Sequence, residues 1–415
     1  MSTKQLDSNR LLSDLYRQEH LKMIAVLCSC FGLKHIEVAE DIIGETFLKA
    51  SENWATASVP EIPAAWLYTV AKNKAKDYLK RNTIFETIIA GDIKPEEGEP
   101  EWDFELSSKQ IEDSQLAMIF AVCDPSNSKE GQVCLALQVL CGFSVEEIAN
   151  AFLSKVETIK KRLLRARSKL RESHFQIQVL SEFDIKFRQD SVLKTLYLLF
   201  NEGYFSRTSN QLIRNELCAE AIRLTLILTE NLLTDTIETK ALLALMCYQS
   251  SRLEARTNDR GEALLFEEQD QNLWNKDLIE KGNYYLVQAF QGDQVSKYHL
   301  EAGIAYWHTN KTAKDKWQHI LNLYNQLVLT EYSPITALNR AFAIAKVYGY
   351  EKAILETEKL KLDDNDQYHK LLGYLYETIE TDKAIDHYST AVQLTKSKTA
   401  KQILLKKIAE LIAKS

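Results

Sequence analysis

The chain is poor in residues that break helices. It has 6 prolines and 13 glycines among 415 residues, and no proline lies between Pro125 and Pro334. An all-β fold needs turn residues at short, regular intervals, so this scarcity excludes one and leaves an all-α fold. Long apolar runs are also missing. No stretch reaches the ~18 uninterrupted apolar residues of a membrane span, and the N-terminal MSTKQLDSNRLLSDLYRQEH lacks the apolar core of a secretory signal. A soluble, cytoplasmic protein with no membrane partner is expected. Nor is there an excess of positive charge: 51 basic against 58 acidic residues leave a net −7. That excludes a uniformly basic nucleic-acid coat but leaves room for a local basic patch. CxxC is absent, and the seven cysteines (28, 30, 123, 134, 141, 218 and 247) are an odd, irregularly spaced set among mostly apolar neighbours. Buried reduced thiols are the reading, rather than a metal site or a disulfide framework.

What is present is helical periodicity. Leu11, Leu12, Leu15 and Tyr16, then Leu21, Ile24, Ala25 and Leu27, recur at helical spacing, and a second amphipathic run covers 38–54. Pro60 and Pro63 break the pattern, and Pro63 can open the next helix, which runs to about Asn82. Residues 91–107, GDIKPEEGEPEWDFELS, read as an acidic flexible linker. Helices resume near Ser108, turn at Asp124–Asn127, and continue over 129–141. From about 186 the chain becomes a succession of amphipathic helices with Ala, Leu and Tyr at packing positions. The segment 368–392 resembles one tetratricopeptide unit, with Leu372, Gly373 and Tyr376 in its first helix and Ala384, Tyr388 and Ala391 in its second. A weaker copy starts near Thr336, with Ala341 and Ala353 as its small residues.

Three segments carry chemistry. In SVEEIANAFLSKVETIKKRLLRARSKLR (144–171), Ser144 and Glu147 form a capping box that opens a short helix. A second helix follows from about Lys155, with Val156, Ile159 and Leu163 inward. Lys155, Lys160, Lys161, Arg162, Arg165, Arg167, Lys169 and Arg171 oppose a single acid, Glu157. Two short helices with a basic second member make a helix-turn-helix, although no glycine marks the turn. The cations neutralise phosphates, while Glu157 and Thr158 near the helix start are placed for base edges. In WLYTVAKNKAKDYLKR (66–81), five cations and one acid lie between Lys72 and Arg81, with Trp66 and Tyr68 at the helix start. Cations that track a backbone beside aromatics that stack suit a single strand; a core tryptophan under a solvated lysine face is the plainer alternative. In AEDIIGETFLKA (39–50), Asp41, Glu45 and Lys49 fall at i, i+4 and i+8, which by itself describes an ordinary surface helix.

In this order and spacing the three segments resemble bacterial RNA polymerase sigma factors of the extracytoplasmic-function class, over about residues 8–172. LYLLFNEGY (196–204), ELCAEAIRL (216–224), LLALMCYQSSRLEAR (242–256), EEQDQNLWNKDLI (267–279) and SPITALNRAFAIA (333–345) resemble the subgroup with a tetratricopeptide-like tail. The resemblance implies a region 2-like helical domain at 8–90, the linker 91–107, a region 4-like helix-turn-helix domain at 108–175 and a large helical extension at 186–415. It implies that Asp41, Glu45, Thr46, Phe47 and Lys49 lie on the helix that docks on core RNA polymerase. Trp66, Lys72, Asn73, Lys76, Lys80 and Arg81 would face the promoter element that opens, and the 55–63 loop would hold a flipped base of its non-template strand. The helix from Lys155 would read duplex promoter DNA.

For the extension, no nucleotide loop, HExxH or glycine-rich phosphate cradle occurs, so no enzyme activity, cofactor or metal is expected. Glu202, Tyr204, Glu268 and Asp270 could line a polar pocket, and His299 and His308 read as packing residues. A helical-repeat surface suits another protein or a ligand. Two other classes of protein fit parts of the pattern: a helix-turn-helix regulator that needs no polymerase, and a helical-repeat scaffold.

Overall fold

Among the residues described by the computed structural model, eighteen α-helices occur and no strand. The described residues are 3–56, 58–90, 108–152, 154–172, 181–204, 211–256, 264, 269–292, 294–310, 314–395 and 398–413. The expected linker 91–107 lies outside them, as do residue 57 of the 55–63 loop, Leu153 and Glu268. The chain divides into two compact units, Met1–Thr234 and Asp235–Ser415.

In the first unit, α1 (Thr3–Phe31) ends at Gly32, whose φ of +80° lets its N–H close back on the Cys28 carbonyl at 2.8 Å. The periodic residues Leu21, Ile24, Ala25 and Leu27 are all buried, facing α2 (Ile36–Thr56) and α4 (Ser108–Val122). Burying each leucine or isoleucine contributes about 1.5–3 kcal/mol. Pro63 opens α3 (Pro63–Ala90), a position where its missing N–H costs nothing. Residues 116–122 of α4 are buried on every side, as a helix in the middle of a core must be. It packs on α1, on α8 (Glu182–Tyr204) and on α9 (Gln211–Thr229). Then come α5 (Lys129–Leu135), a π-helical turn over Ala136–Leu140, α6 (Val145–Ala151) and α7 (Val156–Glu172).

The sequence draws the start of the extension at 186, whereas the compact division falls at Thr234–Asp235. The reason is that α8 completes the core around α4 and α5. Val192, Leu196, Leu199 and Phe200 are buried. The Gln132 side chain of α5 donates to Ser191 at 3.0 Å and accepts from Thr195 at 3.1 Å, and Arg188 pairs with Asp124. Helix α9 is tied in through Arg17–Glu216 at 2.7 Å and through Arg223, which donates to the Leu140 carbonyl at 3.1 Å.

His20 sits buried among these helices. Loss of hydration pushes its pKa down to about 4, with the nearby Arg223 cation adding to this against a pull from the Val139 backbone. The unfolded chain therefore takes up this proton first, at its ordinary value of 6.5. Stability is complete above pH 7 and falls as pH drops from 6.5 towards 4, by about 3 kcal/mol in all. Equilibrium urea unfolding of the native chain and of His20→Gln at pH 7 and pH 4.5 should show the smaller pH-dependent loss in the variant; equal losses would contradict this assignment.

The second unit is a run of helices, each packed on its neighbours in sequence. They are α10 (Ile237–Ser250), α11 (Lys276–Ala289), α12 (Lys297–Thr309), α13 (Lys316–Thr330), α14 (Pro334–Tyr348), α15 (Tyr350–Glu358), α16 (Asp366–Tyr376), α17 (Thr381–Leu394) and α18 (Lys398–Ile412). Gly373 lets α17 approach α16 closely: a Cβ there would stand 2.7 Å from the Tyr388 ring. Ala353, Leu372, Tyr376, Ala384 and Ala391 join one continuous core. His299 is buried, with its Nε2 3.1 Å from the Ala289 carbonyl, and burial pushes His308 down to about 3. Asp270 caps a 3-10 turn by accepting from the Asn272 N–H at 2.9 Å. Glu202 and Tyr204 lie on α8, in the first unit.

Candidate nucleic-acid interface

The α6–α7 pair begins with the expected capping box. Glu147 N–H donates to Ser144 Oγ at 3.2 Å, and Ser144 N–H donates to the Glu147 carboxylate at 2.7 Å. Ser154 N–H closes on the Ala149 carbonyl at 2.9 Å, so the chain reverses within a few residues and α7 packs on α6. Ile159, Leu163, Ala166 and Leu170 set the inner face of α7 at helical spacing. That leaves Lys155, Glu157, Thr158, Lys160, Lys161, Leu164, Arg165 and Lys169 exposed. Lys160 and Glu157 pair at 3.3 Å in open solvent, an interaction worth under about 1 kcal/mol. The outer face remains strongly cationic.

Two of the candidate cations point elsewhere. Arg162 is half-buried beside Cys134 and Glu202; burial pushes the Cys134 thiol up to about 11 while the guanidinium pulls against it. Arg167 is 8% exposed. Its guanidinium donates to the Glu40 carboxylate of α2 at 2.6 Å and to Gln138 Oε1 at 2.9 and 3.2 Å. Arg167 is therefore removed from the free face of α7: position 167 lies between Leu163 and Leu170 on the buried stripe. Arg171 reaches Glu37 of α2 at 2.7 Å.

On α3, Leu67, Ala71 and Ala75 form the buried stripe. Asn73, Lys80 and Arg81 are exposed, and Lys72 and Lys76 are half-buried along its flanks. Trp66 is half-buried, packed against the buried Trp54 with ring centroids 5.5 Å apart. Lys74, not among the candidates, pairs with Glu45 of α2 and holds that carboxyl below its usual range. On α2, Asp41, Glu45, Leu48 and Lys49 are exposed. Phe47 is half-buried, edge-on to Tyr16 at 5.0 Å. Thr46 is 0% exposed, and its hydroxyl donates to the Ile42 carbonyl at 2.7 Å. It supports the seat of α2 and lies on the Ala39–Ile43–Ala50 stripe, so the periodicity alone could have found it.

Among the described residues, no group of three or more His, Cys, Asp or Glu side chains could hold a metal ion. No helix there is long and apolar enough to cross a membrane. Residues 15–84 match the family Sigma-70 region 2, and residues 188–290 match a family of unknown function, DUF6596. An uncharacterized protein, R00370, of Rhizobium meliloti (strain 1021) is 30% identical over 352 residues, covering 83% of each chain. The ECF RNA polymerase sigma-E factor of Haemophilus influenzae (strain ATCC 51907 / DSM 11121 / KW20 / Rd) is 28% identical over 131 residues, 31% of this chain and 69% of that one. No solved structure matches significantly.

Proposed function

The chain belongs to the same family as R00370 of Rhizobium meliloti, and from that kinship together with its Sigma-70 region 2 segment we propose that it is a sigma factor of the extracytoplasmic-function type. It brings bacterial core RNA polymerase to chosen promoters and helps open them. The observation that carries this reading is the order of parts: a region 2 segment at 15–84, followed by a helix pair whose second member has a cationic outer face.

The labour divides by chemistry. The α6–α7 pair acts as a helix-turn-helix on duplex DNA. Lys155, Lys160, Lys161 and Arg165 neutralise phosphates, and Glu157 and Thr158 stand nearest the base edges. Helix α3 takes the opened strand: Lys72, Lys76, Lys80 and Arg81 track its backbone, Asn73 offers an amide, and the half-buried Trp66 stacks on a base. Stacking and cationic contacts offset the cost of unpairing. Helix α2 presents Asp41, Glu45 and Lys49 to core polymerase, which performs the synthesis. The second unit, a tetratricopeptide-like stack, offers a surface for a further protein or ligand.

Affinity-tagged chain mixed with bacterial core polymerase should retain it on a column and through gel filtration, and Asp41→Lys should weaken retention about tenfold, a change of about 1.4 kcal/mol. A chain that binds duplex DNA specifically yet never retains polymerase would contradict the proposal and favour a polymerase-independent regulator.

A further inference from the structure

Within the second unit, helices α13, α14 and α15 line an open cavity of about 280 Å³, near the lower end of the roughly 300–1,000 Å³ of ligand sites. Its floor is apolar: Leu321 of α13 and Ile344 of α14 line it, and both are buried in the core of the unit. The α13 wall is built of side-chain amides. Gln318, Asn322 and Asn325 fall at i, i+4 and i+7, on one face of the helix. Helices α14 and α15 add Arg340 and Glu356. Their charges do not cancel, because Glu356 has a second cation. Lys359 holds it at 2.7 Å and keeps its carboxyl below the usual range, while Arg340 stands 3.5 Å from the same carboxylate. Arg340 is oriented by Asn325, whose Oδ1 accepts from its Nε–H at 2.7 Å. A guanidinium has five N–H donors, more than these two contacts use. Two cations around one carboxylate leave a unit of positive charge in excess.

The amides set the spacing. A side-chain amide both donates and accepts, in up to four hydrogen bonds. Gln318 donates to Asn322 Oδ1 at 3.3 Å and Asn325 accepts from Arg340, so each of the three keeps capacity for more. From 318 to 325 the helix rises about 10.5 Å, the length of about three residues of extended chain. The i, i+4 interval of about 6 Å is close to the two-residue repeat of about 6.6 Å at which an extended peptide turns its N–H and C=O groups to the same side. We propose that this cavity binds an extended peptide segment of a partner protein that carries an acidic residue. The amides of Gln318, Asn322 and Asn325 pair with its backbone, Arg340 takes its carboxylate in a charge-assisted bond, and its apolar side chains rest on Leu321 and Ile344. The proposal rests on the reading of the second unit as a surface for a further protein or ligand, and requires nothing of polymerase or promoter.

The test is proton–carbon NMR of the full chain labelled at isoleucine methyl groups, with the Ile344 signal identified through Ile344→Val. The probes are two pools of capped pentapeptides, Ac-X-X-Glu-X-X-NH2 and Ac-X-X-Gln-X-X-NH2, with X being Ala, Leu, Ser or Tyr. The Glu pool should move the Ile344 signal with a midpoint of about 0.1 mM, and the Gln pool with one about tenfold higher. The signal of Ile159, in the first unit, should stay fixed. Gln318→Ala with Asn322→Ala, both at exposed positions, should raise both midpoints about tenfold. Arg340→Gln, checked for helicity by circular dichroism, should raise only the midpoint of the Glu pool and so erase the preference; a merely structural loss would raise both. No movement of the Ile344 signal with either pool, equal midpoints for the two pools in the native chain, or midpoints unchanged in the double variant would overturn the proposal. So would an equal shift from free glutamate at the same concentration, which would make the cavity a small-molecule site. A chain that never retains polymerase would count against the sigma reading and leave this result standing.

Discussion

Reversing Lys161 and Arg165 together to glutamate should lower promoter-directed transcription about 100-fold, at unchanged helicity. Both side chains are exposed on the outer face of α7, so neither substitution disturbs the Ile159–Leu163–Ala166–Leu170 stripe. Each reversal replaces attraction to a phosphate by repulsion, about 1.4 kcal/mol or tenfold per site. The salt dependence distinguishes this from a folding defect. Two lost phosphate contacts make the log–log slope of DNA affinity against salt shallower by about 2. Lys352→Glu, an exposed change in the second unit, should alter transcription less than twofold. Unchanged transcription in the double variant would remove α7 from the DNA interface.

The second large effect is on folding. A chain ended at residue 180 loses α8 and α9 and should not fold cooperatively, whereas a chain ended at Thr234 should keep its helicity and a sharp thermal transition. Removing α8 takes away Val192, Leu196, Leu199 and Phe200, all buried, and leaves α4 facing water. At about 1.5–3 kcal/mol for each side chain, the loss is about 6–12 kcal/mol, comparable to the whole stability of a domain. It also takes Thr195 away from the Gln132 Oε1, while the Nε2 keeps the Asp124 carbonyl at 2.7 Å but loses Ser191. Circular dichroism melts of the two fragments check this. A cooperative transition in the shorter fragment would show that α8 is an accessory rather than a part of the first unit.

Much of this was legible in the sequence, and the rest was hidden for a definite reason. Local rules read well. The Ser144–Glu147 capping box, the helix start at Pro63 and the Gly373–Tyr388 close approach each depend on residues near one another in the chain, or on a repeat with a known register. Faces of helices read well where apolar residues define them, as at Ile159 and Leu163. A face is harder to read where a polar residue occupies an inward position. Arg167 lies on a buried stripe, but a guanidinium breaks the apolar pattern that marks such stripes. What satisfies the guanidinium at 167 is Glu40, together with Gln138, and nothing in a single sequence links residues 40 and 167. The same holds for α8. Its amphipathic pattern shows that it packs on something, and the pairing of Gln132 with Ser191 and Thr195 shows that it packs on α5 as well as on α9, the helix that follows it.

The measurement closest to the centre of this account is run-off transcription with purified bacterial core polymerase and a genomic library of candidate promoter fragments. The account predicts discrete transcripts that require this chain, begin at defined start sites, and disappear with Lys161→Glu and Arg165→Glu. A properly folded chain that yields no transcript above core polymerase alone, on any fragment, would contradict it.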